Sequence, residues 1–157
     1  MSAQRLLVFS REILWVSLTG VFALLCILPI AGIIADGYVR QNLFLAVLFA
    51  FYFRAVIFFR QTPCLQLLAI QILLFFGNIP LFITVLGKMQ DMFYLFDSYD
   101  LVFFFQPAVG LLPDTLLEKF QFYRNEFLFF STGTLILIVF TELRLVMTFV
   151  HRIKKIE

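Results

Sequence analysis

The chain has 157 residues, of which 62% are hydrophobic and only 14% charged, where a soluble domain carries about a quarter charged residues. A chain this short leaves much of its surface exposed on folding, so a mean hydropathy of +1.00 excludes an ordinary soluble core. The net charge of +2 gives no basis for binding nucleic acid, and the 23 phenylalanines suit lipid and helix packing without indicating a function.

The reading in chain order is an all-α integral membrane protein with four transmembrane helices in a bundle, forming a single membrane domain over 1–157. Arg5 and Arg11 precede an apolar run laid out like a signal peptide. That run continues to Ala35, beyond the about 7–15 apolar residues of a signal peptide, and is read as a retained first span over about 13–35, with Ser10 as its N-cap. "ADGYVRQN" is expected to be a short turn. The second span covers about 43–59, capped by Asn42. After "RQTP", Thr62 is expected to cap the third helix with Pro63 at its first position, where the missing N–H costs nothing. This span covers about 64–86. The fourth covers about 127–150. Each reaches or approaches the about 20 residues needed to cross the hydrocarbon.

The segment over about 88–125 is expected to be a structured outer piece, lying on or dipping into the outer leaflet. Tyr94 and Tyr99 suit the interface, while Leu101–Phe105 is too short to cross. Thr115 and Glu118 have the spacing of a capping box, so the fourth helix should start near Thr115 and project beyond the bilayer. Arg5, Arg11, Arg60, Arg152, Lys154 and Lys155 fall on one side of a four-span topology. The positive-inside rule then places both termini in the cytoplasm or its equivalent.

Few polar residues stand inside the spans. Thr19, Arg54, Gln71 and Glu142, one per span, fall at similar distances from the inner side, and a charge at that depth requires pairing or hydration. The expectation is an intramembrane polar network in which Arg54 pairs with Glu142 and Gln71 completes the set. The alternatives are that Arg54 snorkels to the interface while Glu142 meets Arg144 or is protonated, or that the layer is a functional site. Pro29 and Pro80 are read as interruptions of spans one and three. Asn78, beside Pro80, is expected to bind backbone freed at Phe76, which makes Asn78 and Pro80 a possible helix-break site.

No catalytic set, cofactor motif or metal-ligand spacing emerges. Cys26 and Cys64 read as packing residues and His151 as interfacial. The functional expectation is a non-enzymatic accessory or assembly subunit that holds a partner through its bundle and aromatic outer segment. Its partners would be the lipid bilayer and other membrane subunits or a second copy, with no nucleic acid. One alternative is a small transporter or channel element using Arg54, Gln71 and Glu142. Another is a binder of lipid or a hydrophobic ligand. Asp97, Asp100 and Asp114 are the only candidates for lipid enzymology, and acidic loop residues are ordinarily just solvated.

Overall fold

The computed structural model describes residues 3–59, 62, 65, 67–97, 105 and 113–154, with the backbone alone described at 3–9, 113 and 153. Four helices account for nearly all of it: α1 (Ala3–Ile27), α2 (Asp36–Ile57), α3 (Leu68–Asp97) and α4 (Pro113–Ile153). Each is long and apolar enough to cross a membrane. The chain is therefore an all-α bundle of candidate membrane-spanning helices.

Several boundaries differ from expectation. Helix α1 starts before Ser10, which lies inside it and caps nothing, and ends at Ile27, so Pro29 follows the helix instead of breaking it. A corner of short-range bonds continues the chain, from Ala31 N–H to Ile27 O (2.9 Å) and Ile34 N–H to Ile30 O (3.1 Å). Gly32 in this corner takes a φ of 76°, a conformation that suits glycine because it has no Cβ. "ADGYVRQN" is helical from Asp36 onward. Asp36 favours the positive end of the helix dipole, and Tyr38 and Val39 pack against the core, extending the buried stripe of Leu45 and Ala46. Asn42 is consequently an interior helical residue, not a cap.

Thr62 forms part of a turn ahead of α3, with its N–H bonded to Phe58 O and its own carbonyl accepting from Leu65 N–H (both 3.1 Å). Pro63 and Cys64 lie outside the described residues. Helix α3 runs 30 residues, straight through Pro80, because Val85, Met92 and Phe96 keep one face buried past the polar positions Lys88, Gln90 and Asp91. Helix α4 starts at Pro113, two residues before Thr115, so Thr115 is already helical and cannot serve as the N-cap of a capping box. Its 41 residues give about 60 Å of helix against about 30 Å of hydrocarbon. Of the expected outer segment, 98–104 and 106–112 lie outside the described residues. The parts flanking them are continuations of α3 and α4, and Phe105 forms an isolated bridge with Ile34.

Helices α2 and α4 form the centre. They run parallel, since α3 returns between them in sequence, and they meet in constant register: Tyr38 by Tyr123, Asn42 by Glu126 and Phe49 by Gly133. A Cβ on Gly133 would stand 2.7 Å from the Phe49 ring, so glycine there permits the close approach. Phe49 is boxed in by Phe53, Phe129 and Phe130. Helix α1 flanks α2, and α3 flanks α4. A second small core lies toward the end where α2 finishes, where Phe59 and Leu65 of the connecting segment fold back against Ala55 and Leu145. Two buried hydroxyls inside α4 are satisfied by their own helix, Ser131 donating to Phe127 O (2.7 Å) and Thr141 to Leu137 O (2.8 Å), whereas Thr134 Oγ1 is buried without a partner.

Candidate functional site

Arg54 does not reach Glu142. Its Nη2 donates to Glu12 Oε2 at 2.6 Å, and its guanidinium lies over the Trp15 ring at 5.4 Å. Both partners belong to α1, so Arg54 is clasped by the flanking helix. The reason is azimuth. Tyr52 faces the α3–α4 side, and two residues further along a helix turns the side chain by about 200°, which points Arg54 the other way. Arg54 also lies three residues from the end of α2, about 5 Å, so the pair stands toward the open end of the helix hairpin. The two side chains keep 15% and 25% exposure. The contact is single, leaving Arg54 Nε and Glu12 Oε1 buried without a protein partner.

Glu142 instead accepts from Asn78 Nδ2 (2.5 Å), and Asn78 Oδ1 accepts from the Tyr52 hydroxyl (2.5 Å). This relay joins α2, α3 and α4. Asn78 therefore binds side chains on neighbouring helices and not the backbone freed by Pro80. Near Pro80, the Thr84 hydroxyl donates to the proline carbonyl (2.8 Å). Arg144 does not meet Glu142 either. It donates to Val56 O on α2, satisfying one of the last carbonyls of that helix with a cation, as helix C-termini favour.

Gln71 is buried but bonds elsewhere, donating to Leu65 O at 2.8 Å. It closes the turn before α3 and leaves its Oε1 without a partner. Thr19 is half-buried on α1 and joins none of these contacts. The four expected residues thus do not converge: Arg54 faces α1, Glu142 faces α3, Gln71 serves its own connection, and Thr19 stands apart.

A further contact lies toward the opposite end of the bundle, where α2 begins. Asn42 Nδ2 donates to Glu126 Oε2 at 2.8 Å, and the Cys26 thiol lies against the same carboxylate. The sequence held a signal for this contact. Asn42 and Glu126 each immediately precede an expected span, and those two spans run in the same direction, so the residues share a depth. Glu12 was also findable, because folding the chain back about the 28–35 corner brings position 12 opposite 54. Tyr52 offered little signal within its phenylalanine-rich run.

No group of three or more potential metal ligands occurs among the described residues. The arrangement can hold helices in register and present a carboxylate at a helix seam. Compared with known proteins, the chain matches no family model, no curated protein and no solved structure.

Proposed function

We propose that this protein is a non-enzymatic accessory or assembly subunit of a membrane complex, embedded as a multi-pass bundle with both termini on the cytoplasmic side. The observation that carries this reading is the divergence of the intramembrane polar groups. Arg54, Gln71 and Glu142 turn toward three different neighbours, so they line no common route, which a transporter or channel element would need. Most of these contacts instead tie one helix to another. The partners under this reading are lipid and other membrane proteins.

Native mass spectrometry of the complex released from its own membrane in mild detergent tests the assembly role. A fixed-stoichiometry complex with one other membrane protein supports the reading, and a monomer carrying lipid alone sinks it. Cysteine labelling tests the orientation. A cysteine introduced at Asp97 should react from the outer side only, and labelling from the cytoplasmic side alone would overturn the topology.

A further inference from the structure

Glu142 is a carboxylate set at depth on α4. It lies eight residues before Val150, where the apolar run ends, about 12 Å along the helix and so well inside about 30 Å of hydrocarbon. Among the described residues, no basic side chain reaches it. Arg54 is held by Glu12, and Arg144 is turned to Val56 O. The relay behind it delivers a donor: Tyr52 donates to Asn78, which leaves the Asn78 amide N–H groups aimed at the carboxylate. Only Glu142 Oε1 takes part. Oε2 is neither bonded within the protein nor among the enclosed atoms.

The surroundings of that free oxygen are apolar and open. Val139 and Val146, one turn either side on α4, are exposed, as are Leu143 and, across the seam on α3, Phe76 and Ile79. A neutral glutamine would accept the Asn78 bond at lower cost in lipid, so internal packing alone does not account for a charge here.

We propose that Glu142 receives a basic side chain from a transmembrane helix of a partner protein, docked along the exposed seam of α3 and α4. This rests on the assembly reading and names the contact that does the assembling. Charge complementarity selects the partner: an arginine or lysine at matching depth gains a counterion, and both charges leave lipid together. The aliphatic residues around the carboxylate supply the packing surface.

The test uses the full chain in phosphatidylcholine vesicles. The probe is a leucine–alanine transmembrane peptide with one central arginine, its association read by fluorescence transfer. The arginine peptide should associate about tenfold more tightly than the same peptide with leucine. That preference should vanish when the arginine is moved two turns toward the peptide end, an arm that needs no variant of the chain. Glu142→Gln should abolish the preference, whereas Glu126→Gln should keep it. Equal association of the two peptides, or a preference that survives Glu142→Gln, overturns the inference. A native complex that persists with Glu142→Gln also overturns it while leaving the assembly reading intact.

Discussion

Arg54 and Glu142 are both charged residues within membrane-spanning helices, yet the protein treats them differently. Arg54 lies near the end of α2 with a carboxylate and an aromatic face waiting on α1. Glu142 lies far from either end of α4 and has hydrogen bonding on one oxygen only. The clasp finds its counterion within one chain, and among the described residues the seam does not. The contrast teaches that the two charges have different jobs. The first fixes how α1 lies on α2, and removing its partner harms the fold. Under the docking proposal the second serves a partner, and its removal should matter chiefly when something docks.

The largest effect expected from breaking this contrast is at the clasp. Glu12→Leu leaves the guanidinium uncompensated and should destabilise the protein by about 3 kcal/mol, the lower end for a broken buried pair, because Arg54 can still reach toward the inner interface. The double variant Glu12→Leu with Arg54→Met should recover most of that loss. Unfolding free energies measured in bicelles decide it, and simple additivity of the two single variants would show that the residues do not interact.

Next in size is the α2–α4 contact at the centre of the bundle. Gly133→Ala drives a methyl into the Phe49 ring and should cost about 1–3 kcal/mol through overpacking. Gly133→Ala combined with Phe49→Leu should cost less than Gly133→Ala alone. If Gly133→Ala is silent in the same bicelle measurement, the helices are further apart than described.

At the seam, Tyr52→Phe removes one donor from the relay and should cost about 0.6 kcal/mol, the usual size of an intramembrane hydrogen bond. The smallest effect, and the one of opposite sign, is Glu142→Gln. It keeps an acceptor for Asn78 while removing a charge, so the isolated chain should melt at the same temperature or slightly higher. A fall as large as that for Glu12→Leu would erase the distinction between the two sites.

The apolar belts were legible in the sequence because twenty or so uncharged residues admit few readings in water. The start of α2 was not. Asp36, Gly37, Arg40, Gln41 and Asn42 carry turn chemistry locally, and only the packing of Tyr38 and Val39 against the core makes them helical. Depth could be counted along each span, which is how Arg54 and Glu142 came to be paired. Depth says nothing about azimuth, and the 200° between Tyr52 and Arg54 decided the outcome. Glu12 and Glu126 were missed for a shared reason: each stands one residue outside an apolar run, so neither fell within an expected span. In the structure, both turn inward to polar groups on the adjacent helix.

The parallel pairing of α2 with α4 has a consequence for the order of biogenesis. Asn42 bonds a residue 84 positions later in the chain, so at about 5–20 residues per second of synthesis it waits roughly 4–17 s for its partner to be made. During that interval the α1–α2 hairpin already has its own clasp, and Tyr52 gains Asn78 once α3 is made, but Asn42 presents a bare polar group to whatever surrounds it. A ribosome stalled before α4 would therefore release three helices with the α4-facing surface of α2 exposed, a form that the quality-control machinery of the membrane is equipped to recognise.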